Sequence, residues 1–580
     1  MDTKSLILQV LSNKTKIVIS LIFSAVFLVS CEIFAAVLLK QIIEIVIIDG
    51  DQSQLPVRMT LFVIALITAF IFSVIKKHQV SKLNSFIFGK LANEAYTSIL
   101  EAEMAELSKN NVKRAMSHVI ENCQAVSDKF FKNNLVKFFE RVLHLIAIFI
   151  AMMAIKPVLG LIVYASLVFF YISVKSIEKH VIKIETAEEK KIDDANDIIY
   201  ESLDNIKDIK LLNGINYEKE KFGEWANQYA KSKLNSDLID EDSRMNLQNF
   251  FVGIIFSIVL GLASWLSIDA SFGITAGTIT VYVIFVPIVF VTFKSLMNNH
   301  ISLNFVEEAR QELDLLYSLK SEIKSEPVNS LEDVHSLKFI DVDYALDKKN
   351  ILIDKVSFEL KRGERLGILS EDIHSKRLIF EMLTKLTKAT RGSISINNCD
   401  ILKLNTRYLR DLITSIYAES TIFRGSILEN IIYPEKFDEY KYNDALNRSG
   451  LKEIINELPN RERTIIDERT TVISKDAMQR IIFANAFYKD SKIYLLDDAT
   501  KFLDINTENE LLNEVFKLKN KIIIMMTDKV YNLNLCDKIL ILENGKVTEY
   551  GKYTELLLNK ESKTYKIIKK ASLSKKEKVS

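Results

Sequence analysis

The sequence predicts a multidomain protein: an all-α region of six membrane-spanning helices, followed by a soluble α/β domain. Two observations carry this. Six long apolar stretches lie before about residue 300, and after residue 337 short strand-like runs alternate with helical spacing. A third agrees. Gly is only 16 of 580 residues and Pro only 6, about 2.8% and 1% against a usual Gly content of ~7%, which excludes loop-dense all-β and Gly/Pro-rich disordered classes. A chain of 580 residues also exceeds the ~250–300 at which one core stops growing.

The apolar stretches are Ile17–Leu39, Met59–Ile75, Val142–Ile155, Pro157–Val174, Phe250–Ile268 and Thr275–Phe293. A spanning helix needs roughly 17–25 apolar residues. The third stretch is short, and VKFFERVLHL ahead of it extends the helix. The first is longer than a signal-peptide core, lacks a small-residue cleavage site and is followed by five more, so it reads as a span. Lys14, Lys16, Lys76, Lys77, Lys82, Lys132, Lys137, Arg141, Lys175 and Lys179 flank one side of the spans, and only Lys40, Arg58 and Lys156 the other. By the positive-inside rule both termini are expected in the cytoplasm, in a multi-pass protein of the cell (plasma or inner) membrane. The inward excursions, 76–141 and 175–249, are charged and almost free of Gly and Pro. They read as helical hairpins projecting about 35–50 Å at 1.5 Å per residue. Glu32 lies inside the first span. An intramembrane carboxylate is costly, and is a transport-path candidate or a residue facing a wet cavity. His144, read at the cytoplasmic end of the third span, is taken as structural.

Ser321–Ser336 is polar, contains a Pro and reads as a linker, which divides the chain into 1–320, 321–336, 337–560 and a basic tail 561–580. In the third part LKFIDVDYAL and ILIDKVSFEL alternate like strands, RLGILS, KIYLLDDAT and KIIIMMT are apolar strands, and KILILENGKVTEY is a hairpin with a Gly turn. Buried strands alternating with helices predict a largely parallel sheet. Lys and Arg (76) nearly cancel Asp and Glu (75), so nucleic acid is not indicated as a partner. Cys31, Cys123, Cys399 and Cys536 are scattered and suggest neither disulfides nor a zinc site.

Four segments carry a family resemblance: KNILIDKVSFELKRGERLGIL, TIFRGSILENI, SKIYLLDDATKFLD and CDKILILENGKVTEYGKYTELL. With six spans and two cytoplasmic hairpins, the chain resembles a half-transporter of the ATP-binding cassette exporters over residues 10–560. The resemblance implies a P-loop NTPase-like domain, ATP with Mg²⁺ as cofactors, a dimer in the lipid bilayer, and outward movement of a peptide, lipid or amphipathic small molecule. It also assigns site positions, and many of them depart from the family pattern. The phosphate loop needs G-x-x-x-x-G-K-[ST], with glycines for close backbone approach, Lys for charge and a hydroxyl for Mg²⁺. Here the run is Ser370-Glu-Asp-Ile-His-Ser375-Lys376-Arg377. Lys376 is kept, both glycines are serines, Arg377 stands at the hydroxyl position, and Glu371 and Asp372 bring negative charge. Asp497 is the Mg²⁺-side carboxylate. Asp498 replaces the catalytic Glu and is one methylene shorter, a misplacement that can cost ~100-fold. Ser474 remains of the LSGGQ segment, whose glycines are Lys475 and Asp476. Ala418 stands for the loop glutamine, Asp528 for the switch histidine and Leu346 for the adenine-stacking aromatic, with Tyr344 two residues away. Asp504 ends the D-loop.

The resemblance therefore implies a degenerate nucleotide-binding domain with weak or absent ATP and Mg²⁺ binding at its own phosphate loop and no hydrolysis alone. In this family each ATP lies between one domain's phosphate loop and the other's LSGGQ segment. The chain then reads as the impaired half of a heterodimer with an intact half-transporter, coupled through the hairpins near Ala105–Arg114 and Leu212–Tyr217. The alternatives are an ATPase-dead membrane scaffold or sensor, and a slow ATPase using Lys376, Asp497 and Asp498.

Overall fold

A computed structural model describes the chain except residues 1, 173–194, 196–197, 204, 238–240, 269–272, 299–301, 323–330, 332, 346–349, 371, 419–421, 468–472, 502 and 578–580. Much of the expected linker and of the second hairpin's first arm lies outside the described residues. The chain divides into two compact units. One holds Met1–Leu100 with Asn110–Ser318, the other Glu101–Lys109 with Leu319–Ser580.

In the first unit, all six apolar stretches are helical where described, save Thr275 just ahead of the last helix. Thr15–Val46, Gln52–Glu101, Val119–Ile155 and Ala276–Met297 are long and apolar enough to cross a membrane, and Pro157–Ile172 and Val252–Ile268 are shorter apolar helices. The third stretch is extended as expected, because Lys137–Ile155 continues from a π-helical segment, Ala125–Val136. The helix Leu55–Glu101 carries the second span onward into the first hairpin without a break. Ile148, Met152, Leu159, Val163, Phe170, Tyr282 and Phe290 form a shared core. There the Tyr282 hydroxyl shares its proton between the carbonyls of Met152 (2.9 Å) and Lys156 (2.7 Å), each of which also accepts a backbone N–H, and so ties the last span to the turn that follows Ile155. Phe23, Phe70, Phe169 and Trp265 are exposed, as apolar side chains suited to lipid contact are.

The second unit is built on strands β1 (Ser336–Ala345), β2 (Ile351–Lys361), β3 (Arg365–Ser370), β4 (Arg391–Ile396), β5 (Cys399–Asp400), β6 (Ile413–Tyr417), β7 (Gly425–Ser426), β8 (Ile465–Ile466), β9 (Ile493–Asp497), β10 (Ile522–Met526), β11 (Lys538–Glu543) and β12 (Lys546–Lys552). Ten of them form one sheet in the order β5-β4-β1-β2-β12-β11-β3-β10-β9-β6, and β7 pairs with β8. The core β11-β3-β10-β9-β6 is parallel. The wing is not: β1 pairs antiparallel with β2 and with β4. The sheet is therefore mixed rather than largely parallel, because β1 and β2 are joined by a connection too short for a crossover.

The apolar strands are buried on both faces. Ile523 and Met525 of β10 pack with Phe483, Phe487, Leu511 and Val515. Their alternates Ile522, Ile524 and Met526 pack with Ile379, Phe380 and Leu383. Period-two alternation sends neighbours to opposite faces. The β11–β12 turn requires glycine at Gly545. Its φ is +75°, and a Cβ would meet the Leu352 carbonyl oxygen at 2.2 Å.

Candidate functional site

Because β3, β10, β9 and β6 are parallel neighbours, their C-terminal ends fall along one edge of the sheet, where doubly wound folds place ligands. That edge gathers Ser370 at the end of β3, Asp528 just beyond β10, Asp497 at the end of β9 and Ala418 just beyond β6. Ala418 N–H donates to the Asp497 carbonyl (3.0 Å). The helix Ile373–Leu383 begins directly after β3 and carries Ser375, Lys376 and Arg377.

The loop turns its polar groups on itself. Asp372 N–H donates to Ser370 Oγ (3.1 Å), and Ser370 Oγ donates back to the Asp372 carbonyl (3.2 Å). Asp372 Oδ2 accepts from Ser375 N–H (3.2 Å) and from the Ser375 hydroxyl. This is the geometry of an N-cap, so a carboxylate of the chain sits at the helix N-terminus, the end that favours anions. Lys376 is 1% exposed, and its Nζ is hydrogen-bonded to Asp528 Oδ1, on a side chain that is 65% exposed. Arg377 is exposed, with its guanidinium 5.9 Å from the centre of the Tyr417 ring.

Asp498 has φ +46°, a left-handed conformation that Asp tolerates better than most residues. Its amide donates to the Met526 carbonyl (3.0 Å), and its Oδ1 accepts from Asp528 N–H (3.1 Å). Asp497, Asp498 and Asp528 thus crowd around Lys376. Burial, and then the charge of Asp498, pushes the Asp497 carboxyl above the usual range. Burial, and then the charge of Asp528, does the same for Asp498. Carboxyls raised on folding oppose stability at neutral pH, and the opposition fades as pH falls through the raised values. Asp498→Asn keeps an acceptor for Asp528 N–H and removes one charge. It is expected to stabilise the chain at neutral pH, with the gain shrinking in acid. Chemical denaturation at two pH values checks this, and a loss of stability at neutral pH contradicts it.

Ser474 caps the helix Lys475–Lys489, its side chain accepting from Ala477 N–H (3.1 Å). Asp504 caps the helix Ile505–Phe516, accepting from Asn506 N–H (2.9 Å) and Thr507 N–H (3.1 Å). Leu346 and Glu371 are outside the described residues, and Tyr344 is on β1 opposite Ile353. Glu32 is in the first unit, where it faces His144 (3.2 Å). Of the two hairpin tips, Glu101–Lys109 belongs to the second unit: Glu103 N–H donates to the Lys320 carbonyl (3.0 Å), and Lys388 Nζ lies 2.9 Å from Glu103 Oε1. At the other tip Leu212 is 82% exposed.

Sequence reasoning missed one buried assembly. Glu508 is 0% exposed. It accepts from Thr500 Oγ1 (2.7 Å), Lys529 Nζ (2.7 Å), Tyr531 Oη (2.8 Å) and Asn532 Nδ2 (2.6 Å), and so ties the segment after Asp498 to the segment after Asp528. Burial would raise its carboxyl, but the hydrogen bonds outweigh burial and hold it below the usual range. A lone Glu eight residues past Thr500 gave no signal of this.

The fold and this edge define a class. Residues 18–294 match the family model described as ABC transporter transmembrane region, and residues 353–501 match the one described as ABC transporter. The chain belongs to the ATP-binding cassette transporters, membrane proteins that act as dimers and whose cassette domain in general binds ATP with Mg²⁺. Among particular proteins, it is similar to a putative export ATP-binding/permease protein of Rickettsia typhi (23% identical over 552 residues, 93% of each chain). It is also similar to the ATP-dependent lipid A-core flippase of Wigglesworthia glossinidia brevipalpis (26% over 405 residues, 69% of each). A bacterial Atm1-family ABC exporter with ATP bound shares its fold, with TM-score 0.78 and 19% identity over 94% of this chain and 96% of that one.

Proposed function

We propose that this chain is the nucleotide-impaired half of a heterodimeric exporter, working with an intact half-transporter that binds the ATP. The observation that carries the reading is the internal pairing of the phosphate loop. Lys376 is held by Asp528, and the Ile373–Leu383 helix is capped by Asp372. Two carboxylates of the chain thus stand in the roles that a triphosphate fills in an intact site. Arg377 replaces the Mg²⁺ hydroxyl, and Ser370 and Ser375 add side chains where bare backbone is needed. These residues do not fit ATP with Mg²⁺, so no catalytic step is assigned to them. Ser474, at the head of its helix, remains available to complete the partner's pocket.

In this reading closure of the sister's pocket reaches the spans through the hairpin tips, and biases a two-state alternating-access equilibrium. Both termini face the cytoplasm of a plasma or inner membrane. The cargo is a peptide, lipid or amphipathic small molecule moved outward. The similarity to a lipid A-core flippase and to export permeases supports the direction.

The test is direct. The chain purified alone is expected to show no binding of ATP–Mg²⁺ at millimolar concentration. Co-purified with an intact six-span sister, it is expected to form an active ATPase. Lys376→Ala is then expected to leave that activity within about twofold, while the same change in the sister's phosphate loop abolishes it. A homodimer of this chain that hydrolyses ATP and dies with Lys376→Ala refutes the proposal.

A further inference from the structure

The first and last spans meet at the end where the last span begins, and the contact there is polar. The first span's helix, Thr15–Gln41, runs on into a π-helical segment, Ile42–Ile48, that carries Glu44. Such segments are rare and cluster at functional sites. The last span, Ala276–Asn298, is entered through Thr275. Thr275 Oγ1 accepts from Thr278 N–H (3.2 Å), as an N-cap does, and the Thr275 hydroxyl donates to Glu44 Oε1. Glu44 thus brings a carboxylate to the helix N-terminus, the end that favours negative charge. Lys40, one turn earlier on the first span, lies 3.8 Å from the same oxygen. Gly277 is buried against the Glu44 side chain. A Cβ there would meet Glu44 Cγ at 2.5 Å, Cδ at 2.8 Å and Oε1 at 2.9 Å, so glycine is what lets the two helices come this close.

Elsewhere the first span shares little apolar core with the last. The core that joins the third to sixth spans takes Ala36 alone from the first span and nothing from the second. The first span packs on the second, with Phe27 4.4 Å from Phe72 between ring centres, Gln79 Nε2 donating to Ser20 Oγ (2.5 Å) and Arg58 donating to Gln41. The last span is fixed to its own neighbours by Tyr282, 1% exposed, on the carbonyls of Met152 and Lys156, and Lys156 Nζ comes within 3.3 Å of where a Cβ of Gly273 would stand. Two spans on one side and four on the other therefore meet, at this end, through a carboxylate, a hydroxyl and a bare stretch of backbone. A seam with few buried apolar contacts opens at a lower free energy than the cores beside it.

We infer that Glu44, Thr275 and Gly277 form a latch that holds this mouth of the bundle shut and parts when the first two spans move away from the other four. In the proposed orientation this is the outward mouth. The latch deepens the exporter reading and rests on it for what the opening releases. Its test needs neither nucleotide nor sister chain, so the latch can fail while that reading stands, and nucleotide binding at Lys376 decides that reading without touching the latch.

Val281, one turn inside the latch, is 0% exposed and lies in the core with Ala36. The full chain carrying Val281→Cys is placed in nanodiscs and treated with a sulfonated, membrane-impermeant maleimide, and labelling is followed peptide by peptide by mass spectrometry. Cys123, also 0% exposed and on the helix Val119–Gln124, reports any loss of the fold. Labelling at position 281 is expected to be slow. Glu44→Ala, which removes the acceptor, and Gly277→Val, which drives a wedge into Glu44, should each raise its rate about tenfold with Cys123 unchanged. Glu44→Gln keeps an acceptor for Thr275 and should stay within about twofold of the starting rate. An unchanged rate at position 281 in Glu44→Ala or in Gly277→Val overturns the inference. So does a rise at Cys123 in step with it, which would make the contact a support of the fold and not a latch. Should Val281→Cys fail to fold, Ala36→Cys reads the same seam from the first span; should Gly277→Val fail, Glu44→Ala decides alone.

Discussion

Glu508→Ala is expected to lower the stability of the cassette domain by about 3–5 kcal/mol, the cost of removing one partner of a buried charged pair. That is a large fraction of the ~5–15 kcal/mol that holds a domain folded. Glu508 is fully buried and accepts four hydrogen bonds. Its loss removes the counter-charge of the Lys529 ammonium, whose side chain is 26% exposed and which keeps the Thr500 carbonyl at 2.8 Å, and takes this acceptor from two buried neutral donors, the Thr500 hydroxyl and the Asn532 amide. Each unsatisfied buried donor costs a further ~1–3 kcal/mol unless water enters. Glu508→Gln keeps an acceptor and removes the charge, so it should fall between. The pH dependence has a definite sign. Because the folded carboxyl is held below its ordinary value, its contribution is present above the unfolded carboxylate range and is lost as pH falls through the folded value. Denaturant unfolding of the native chain and both variants decides this, and a change under about 1 kcal/mol for Glu508→Ala would show that the network carries no weight.

Asp528→Ala is expected to act twice. It removes the counter-charge of Lys376, a side chain only 1% exposed. Since Asp528 is itself 65% exposed, solvent screening reduces the cost to about 1–3 kcal/mol, below that of a fully buried pair. The freed ammonium then becomes an anion site. Millimolar sulfate or ATP should raise the thermal midpoint of the variant by mass action and leave the native chain unmoved, because its own carboxylate already holds Lys376. The double variant Asp372→Asn with Asp528→Ala should respond more strongly, since it also removes the charge at the helix N-terminus. Equal midpoint shifts in native chain and variant would mean that the internal pair does not exclude anions.

Much of the fold was legible because it rests on local periodicity. Apolar runs of spanning length, as in Ile17–Leu39, have one low-energy form in a membrane, since only a helix satisfies every backbone group there. The apolar strands KIYLLDDAT and KIIIMMT are short and bounded, and they emerge as β9 and β10, buried on both faces. The sheet's antiparallel wing was less legible. Strand patterning says which face is buried and not which neighbour is hydrogen-bonded, so β1 and β2 were read into a largely parallel sheet.

The candidate site divides in the same way. That Ser370, Ser375 and Arg377 replace the residues a phosphate loop needs was readable one position at a time. That Asp528 takes up Lys376, and Asp372 the helix N-terminus, was not. The first pair is 152 residues apart in the chain, and the second depends on which way a side chain turns. Glu508 with Lys529, and Glu32 with His144, are hidden for the same reason.

The sequence by itself determined the order of the parts: apolar helices first, an α/β cassette after them, with non-standard residues at the cassette's chemical positions. Those features follow from composition and spacing, which act over a few turns of helix or one strand. Only the tertiary structure decided where the charges end up, because pairing across distant segments depends on how parallel strands align their C-terminal ends and on which helix faces meet, as those of Glu32 and His144 do.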